Sequence, residues 1–281
     1  MNIVVVTPTL GASPWLAGTV ASVAALPGAC RHVLVAPAAV GPALAARFPS
    51  VLVVAEPAPG RGMYAAINAG LEAVAGWDAF TYLNDDDLLR PRFAAGVARA
   101  EAAVRAEQPL LVYGRVRLID AQGRRLGAIP VSPWPRLNRA LYALRLEPVF
   151  QHGTLVTRAA YRQIGGFDET LRFCGDSEFL ARACVAGIPA VRIWGEVAAF
   201  RVRPGQFTQN RGAMIAERSR VDAQLALVAP RPSWRHRLAR LVFRTANLAV
   251  YAERLCRHGW ISFDELLVRA GHAPAPPADH P

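Results

Sequence analysis

The chain of 281 residues has no lysine: all 32 of its basic side chains are arginines, which outweigh 21 acidic ones to leave a formal net charge of +11. An arginine-only bias is compositional and does not by itself point to guanidinium chemistry. The charge excess does favour anionic partners such as nucleotide diphosphates, anionic lipids or nucleic acid. Cysteine is scarce. Cys30, Cys174, Cys184 and Cys256 form no CxxC pair and no zinc-type spacing, which fits reduced core fillers in a cytosolic setting better than a disulfide framework. Also missing is any run of about 18 or more apolar residues. The first 30 residues carry no charge, but Pro8, Pro14 and Pro27 interrupt them and no basic segment leads them. The expectation is a non-secreted protein without a spanning helix. At 53% hydrophobic content the chain can bury a core unaided, as one large α/β domain with an appendage.

Ile3–Val6 reads as a buried first strand closed by Thr7, Pro8 and Thr9, with a helix over Leu16–Leu26 to follow. Val33–Val35 and Val51–Val54 predict two more strands around a helical stretch at Ala43–Arg47. The spacing of Ile67, Leu71 and Val74 predicts a helix before a strand at Phe80–Leu83. Strands alternating with helices imply a parallel sheet covered on both faces. A helix over Phe93–Arg105 leads into a hairpin, Leu110–Ile119 and Arg124–Ile129, turning at Asp120–Gly123. Pro130–Pro148 is read as a lid or acceptor-side insertion, with Trp134, Leu137, Leu141 and Leu144 on one face of a short helix. Leu155 and Val156, the Gly165–Asp168 loop and a helix over Ser177–Val185 complete the main domain.

The chemistry gathers in two places. The strand ending at Leu83 runs into Asn84, Asp85, Asp86 and Asp87, at the carboxyl end where open α/β sheets bind ligands. Three consecutive carboxylates repel one another unless something positive sits beside them, and a divalent cation is the natural candidate. In an extended segment residues i and i+2 point the same way, so Asp85 and Asp87 can face one Mg²⁺ or Mn²⁺, which would neutralise a leaving diphosphate. The alternative is a solvated acidic turn capping the helix near Pro91. Further on, Asp176 follows Gly175 just ahead of a helix, where backbone N–H groups keep a carboxylate ionised and oriented. It is the first choice for a general base accepting a hydroxyl proton, with Glu178 second and a plain N-cap as the alternative.

The stretch GMYAAINAGLEAVAGWDAFTYLNDDDLLRP, from Gly62 to Pro91, resembles the family 2 glycosyltransferases of the GT-A fold, in which a GxYDAxNxG segment precedes an acidic LNxDDxxxP turn. QHGTLVTRAAYRQIGGFDETLRFCGDSEFLARA, from Gln151 to Ala183, is similar to that family's acceptor-side segment. The resemblance covers roughly the first 210 residues, and the order and spacing of its pieces make it specific. It implies an α/β fold of the GT-A (Rossmann-like) type, a mixed, mainly parallel sheet flanked by helices. A catalytic domain would span about 1–215, with a donor half to about 115 and an acceptor half beyond. It further implies inverting transfer of a sugar from a nucleotide-sugar, UDP- or dTDP-linked, to a hydroxyl of a glycan or lipid-linked acceptor in bacterial surface-polysaccharide assembly. The divalent cation, Mn²⁺ or Mg²⁺, would be held chiefly by Asp87 with Asp85, and Asp86 would lie on the donor side. Thr7, Pro8 and Thr9 would line the base pocket, and Glu56 would lie near the base or ribose. Asn68 would cap a loop, contact the donor or simply pack. Arg61, between Gly60 and Gly62, would reach the diphosphate or remain an exposed loop residue. Asp176 would be the catalytic base, while Gln151, His152 and Asp168 would shape the acceptor site.

The sequence departs from that pattern twice. Tyr64, Ala65, Ala66 stands where many relatives have YDA, and the segment from Phe200 to Gln206 lacks the histidine that some relatives use as a further metal ligand. Arg203, in that segment, cannot bind a cation but can contact a diphosphate. Beyond it, residues 216–270 read as a helical extension, and the proline- and alanine-rich tail, 271–281, as disordered. Trp234, Leu238, Leu241, Thr245, Leu248, Ala252 and Leu255 form a stripe at helical spacing, closed by Gly259. Seven arginines and one acidic residue fall between Arg231 and His258. The helix either lies in the plane of an anionic membrane surface, at the inner face of the cell membrane, or packs on the catalytic domain. Other classes fit less well. A sugar-phosphate nucleotidyltransferase would carry a glycine-rich loop and a lysine after the first strand, where this chain has Leu10, Gly11, Ala12, Ser13. No recognition helix or aromatic-rich strand supports nucleic-acid binding. An inactive relative of the transferase fold is the remaining alternative.

Overall fold

The computed structural model describes all residues except 29, 58–59, 204–210, 229–230, 262 and 272–281; the tail expected to be disordered lies outside the described residues. The first half is a βα succession: β1 (Ile3–Pro8), α1 (Leu16–Ala24), β2 (Cys30–Ala36), α2 (Gly41–Arg47), β3 (Leu52–Ala55), α3 (Met63–Glu72), β4 (Ala79–Tyr82), the two-residue β5 (Leu88–Leu89) and α4 (Phe93–Arg105). The hairpin follows as β6 (Leu111–Ile119) and β7 (Arg125–Ile129), then a 3-10 turn (Pro135–Leu137) running into α5 (Asn138–Tyr142). The main domain closes with β8 (Leu155–Thr157), α6 (Arg158–Ile164), α7 (Gly175–Val185) and the long β9 (Ala190–Arg201). Four helices come last: α8 (Arg211–Gln224), α9 (Trp234–Ala246), α10 (Leu248–His258) and α11 (Phe263–Gly271).

Among the described residues nine strands form one sheet in the order β3-β2-β1-β4-β8-β6-β9-β5, with β7 paired to β6. The first four are parallel, as the alternation implies, but the sheet is mixed rather than wholly parallel. The chain re-enters through β8 from the carboxyl-end side, so β8 must run against both β4 and β6. The apolar run of β1 serves both faces, as period-2 geometry requires. Val4 and Val6 pack with Ile67 and Leu71 of α3, while Ile3 and Val5 pack with Val23 of α1 and Phe93 of α4 on the other side. Burying each such side chain contributes about 1.5–3 kcal/mol.

The C-terminal stripe behaves differently from either simple expectation. The helix is broken at Asn247, which is fully buried and donates from Nδ2 to the Val131 and Phe243 carbonyls (2.9 and 2.8 Å). The face turned to the domain carries Ala239, Phe243 and Val250, with Ala239 and Phe243 packed on Leu141 of α5. On β7, the Arg125 guanidinium forks onto Glu253 (2.5 and 2.8 Å), and His258 lies 2.7 Å from the Leu126 carbonyl. Trp234, Leu238, Leu241, Leu248 and Leu255, the predicted stripe, stay exposed, as does Trp260. The 130–148 segment thus serves as a platform for α9. Its ends are tied by the Ser132 N–H donating to the Pro148 carbonyl at 2.8 Å. All four cysteines are free, and Cys256 is exposed rather than a core filler.

One buried group makes the fold acid-sensitive. His32 on β2 lies 2.9 Å from the Thr7 hydroxyl of β1, and burial lowers its pKa from 6.5 to about 4. Below 6.5 the unfolded chain takes up this proton while the folded chain resists it, so the contribution is present above 6.5 and lost as pH falls towards 4. Urea titrations between pH 7 and pH 4 should lose about 3 kcal/mol more in the wild type than in His32→Gln.

Candidate functional site

The acidic segment is not extended. Asp85 and Asp86 form a turn closed by the Asp87 N–H donating to the Asn84 carbonyl (3.2 Å), so the i, i+2 geometry that would aim Asp85 and Asp87 at one ion is lost. Asp85 Oδ2 accepts from the Thr9 hydroxyl at 2.6 Å. Asp86 Oδ2 accepts from Arg203 Nε, and its carbonyl from Arg201 Nε at 2.8 Å. Fully buried Asp87 accepts from the Arg201 N–H at Oδ1 (2.8 Å) and from Asn84 Nδ2 at Oδ2 (2.9 Å). Burial raises the pKa of Asp85. Burial and then Asp87 push Asp86 up to about 7, against the pull of Arg203.

Strand pairing builds this cluster. Leu88 and Leu89 pair with Ala199 and Ala198, so the end of β9 lies across the acidic turn and delivers Arg201. Both Arg201 and Arg203 have Cζ 5.5 Å from the Trp15 ring centroid, and Arg201 also donates to the Asp120 and Ala121 carbonyls (3.0 and 3.2 Å). The two carboxylates expected to hold a divalent cation, Asp85 and Asp87, are engaged here with the Thr9 hydroxyl, and with Asn84 and the Arg201 N–H. Among the described residues no group of three or more His, Cys, Asp or Glu side chains is arranged to hold a metal ion.

Gln151 and His152 lie at the turn entering β8, and both are buried. His152 Nε2 is 3.2 Å from Asp87 Oδ2, without hydrogen-bond alignment, and its ring packs on Phe200 at 4.7 Å between centroids. Gln151 Oε1 has no hydrogen-bond partner and lines a small pocket with Tyr82, Phe80, Leu180 and Asp176. The two sequence-predicted carboxylate sites thus meet around this turn.

Asp176 lies inside the first turn of α7, one residue past its start, and Cys174 is the N-cap residue. Its Oδ1 accepts from the Ser177 N–H (2.8 Å) and the Tyr64 hydroxyl (3.3 Å). Burial raises its pKa, opposed first by the Ser177 N–H and then by nearby His152. Gly175 is required for this approach, since a Cβ there would lie 2.6 Å from the Tyr64 ring. The second-choice base fails. Glu178 is locked in a two-point pair with Arg182 (2.7 and 2.9 Å), and Arg182 in turn donates to the Ile164 and Gly166 carbonyls, so Glu178 braces the Gly165–Gly166 turn.

The remaining predicted residues divide. Thr9 joins the acidic cluster, whereas the Thr7 hydroxyl is turned to His32 and fully buried. Pro8 ends β1 beside Val35. Glu56 closes β3, its N–H donating to the Ala36 carbonyl at 2.9 Å. Arg61 pairs with Glu169 at 2.5 Å. Asn68 donates to the Phe167 carbonyl (2.9 Å) and accepts from the Phe167 N–H (3.0 Å), so it stitches α3 to the Gly-Gly-Phe turn. Asp168 accepts from the Thr170 N–H and hydroxyl (2.9 and 2.7 Å) and shapes that turn. Sequence reasoning missed Glu217 of α8, which is buried and accepts from the N–H groups of Arg172, Phe173 and Cys174 at 2.7–2.9 Å. It holds the backbone leading into α7, whose N-cap residue Cys174 makes no side-chain cap of its own. No local signal marks it, since its partners lie more than 40 residues away.

No protein-family model and no curated protein matches the chain. Solved structures do. Staphylococcus aureus TarS 1-349 in complex with UDP-GlcNAc superposes with a TM-score of 0.60 at 12% identity, over 96% of this chain and 79% of that one. A longer TarS structure is covered over only 45% of its length, at a TM-score of 0.57 and 14% identity. The mannosyltransferase PcManGT from Pyrobaculum calidifontis, in complex with GDP-Man and Mn²⁺, gives 0.57 at 16% identity over 96% and 85%. Glucosyl-3-phosphoglycerate synthase from Mycobacterium tuberculosis, with Mn²⁺, UDP and glucosyl-3-phosphoglycerate, gives 0.55 at 16% identity over 81% of each chain. The fold is therefore the GT-A (Rossmann-like) one of these solved structures, a mixed, mainly parallel sheet between helices, here with a C-terminal helical extension.

Proposed function

We propose that the protein is an inverting glycosyltransferase that moves a sugar from a nucleoside-diphosphate sugar, UDP- or dTDP-linked, to a hydroxyl of a glycan or lipid-linked acceptor in surface-polysaccharide assembly. The observation that carries this reading is Asp176, a carboxylate of raised pKa at the start of a capped helix, brought to the acidic turn through His152. In a single displacement the acceptor oxygen attacks the anomeric carbon, the bond to the diphosphate oxygen breaks with its electron pair, and the hydroxyl proton passes to Asp176. Tyr64 and the Ser177 N–H orient that carboxylate, and Glu217 holds the helix start on which it rides. A raised pKa suits a base that must take up a proton during the step and release it afterwards.

The same reading extends to location. Among the described residues no helix is long and apolar enough to cross a membrane. The outward face of α9 and α10, with Trp234, Leu238 and Leu241 exposed among Arg235, Arg237, Arg240 and Arg244, matches an anionic lipid surface in both polarity and charge. We assign that face to the cytoplasmic leaflet, where a lipid-linked acceptor would be met.

Three outcomes test these assignments. Asp176→Asn should bind UDP or dTDP like the wild type, yet release nucleoside diphosphate from the sugar donor about 10²–10⁴-fold more slowly; wild-type turnover in that variant would remove the base assignment. Glu217→Ala, which strands three N–H groups, should cost about 3 kcal/mol in a urea titration and slow transfer as well. The wild type should co-sediment with phosphatidylcholine vesicles only when phosphatidylglycerol is included, and combined Trp234→Ser and Leu241→Ser should abolish it. Indifference to both changes would exclude the membrane face.

A further inference from the structure

A cavity of about 210 Å³ lies between α5, the second half of α7 and the starts of β6 and β9, with no residue of the acidic turn in its walls. Those walls are chiefly apolar, formed by Leu111, Val149, Leu180 and Ile188 among others. Most of them belong to the sheet and its packed helices, so the space is preformed. Two polar atoms in the wall have nothing to bond. Asn138 Oδ1 and the Tyr142 hydroxyl find no hydrogen-bond partner among the described residues, although Asn138 is 5% and Tyr142 1% exposed. The Tyr113 hydroxyl, also in the wall, already donates to the Ser132 carbonyl at 3.1 Å. Buried polar atoms left unpaired are costly, and folded proteins give nearly all of them a partner.

We infer that this cavity is a saccharide subsite taking one pyranose ring, whose hydroxyl groups pair with Asn138 Oδ1 and the Tyr142 hydroxyl while its C–H surface lies on the apolar walls. This deepens the sugar-transfer reading above and rests on it for the choice of a sugar over other hydroxylated rings. The size fits: a dry cavity of about 150 Å³ accepts a six-membered carbon ring, whereas a single bridging water needs only about 10–15 Å³. The charge fits a neutral ligand. Among the described residues no Asp or Glu lines the cavity, so a cation would find no counter-charge there. Burial raises the pKa of Tyr142 and pushes that of Tyr113 up to about 12, so both remain neutral hydroxyls. A hydrocarbon chain would leave both unpaired oxygens without a partner, which argues against a lipid tail as the occupant. Leu180 lines both this cavity and the small pocket that holds Gln151 and Asp176. The ring is therefore either a further residue of the acceptor glycan or a free sugar held beside the site.

Saturation-transfer NMR on the full chain with the methyl glycosides of glucose, galactose, mannose and N-acetylglucosamine tests this, together with maleimide labelling of the cysteines read by mass spectrometry. Cys184 lines the cavity, whereas the exposed Cys256 does not and serves as the control. At least one glycoside should bind the wild type and, at saturation, slow labelling of Cys184 but not of Cys256. Tyr142→Phe should weaken that glycoside several-fold, and Tyr142→Phe combined with Asn138→Leu at least about tenfold. The urea midpoint of Tyr142→Phe should be no lower than that of the wild type, because the hydroxyl removed had no protein partner. A disaccharide ending in the same sugar that binds at least about tenfold tighter than the methyl glycoside marks a residue of the acceptor glycan, and equal binding marks a free sugar. Binding of none of the glycosides, binding that leaves Cys184 labelling unchanged, or undiminished binding in both variants would each overturn the inference. The transferase reading is judged apart, by UDP and dTDP binding and by the turnover of Asp176→Asn, and stands or falls whatever the glycosides do.

Discussion

Three adjacent carboxylates at the end of a central strand are the constraint around which the rest of the molecule is arranged. Buried negative charges cannot stay together without compensation, and here compensation comes from distant parts of the chain. Thr9 arrives from the loop after β1, Asn84 from the turn itself, and Arg201 and Arg203 from the end of β9. The acidic turn therefore forms fully only when β9 is in register with both β6 and β5. Closing the sheet and assembling the site are one event, and this couples the donor half to the acceptor half more tightly than a linear division of the chain suggests.

The second carboxylate centre follows the same logic with a different solution. Asp176 sits at a helix start whose leading backbone donors, on Phe173 and Cys174, are claimed by Glu217, and Tyr64 reaches it from α3. Phe167 stacks on both Tyr64 and Phe179, at 5.8 and 4.4 Å between centroids. The Gly-Gly-Phe turn, pinned by Asn68 on one side and by Arg182 with Glu178 on the other, is thereby the wall that fixes the aromatic floor of the pocket.

Much of this was legible in the residues. The strands at the start of the chain are continuous β-branched runs, the hairpin turns at Gly123 with a positive φ of 81°, and the acidic turn falls at a strand's carboxyl end. What could not be read depended on partners far away. The alternation of β9 is broken by Gly195 and by the charged Arg192 and Glu196, and Glu196 makes sense only beside Arg117 and Arg125. Spacing assigned Asp85 and Asp87 a common direction because it assumed an extended chain, whereas the Asn84–Asp87 hydrogen bond bends it. Helical period found the helical character of the C-terminal region but not the break at Asn247 that divides it into α9 and α10. Both faces are apolar, and the face that packs is chosen by Asn247, whose amide pairs with the backbone of Val131. Asn68 and Glu178 had the right chemistry for a site, and tertiary partners absorbed both.

The tight fit at Gly175 has a consequence for how far this architecture can drift. With Tyr64 so close that a methyl group could not be added at 175 without moving the ring, the position tolerates no enlargement. The hydroxyl that steadies Asp176 and the ring that stacks on Phe167 beneath the pocket belong to the same side chain. One extra carbon atom would therefore disturb proton acceptance and packing together, and no compensating change on a single element would restore both.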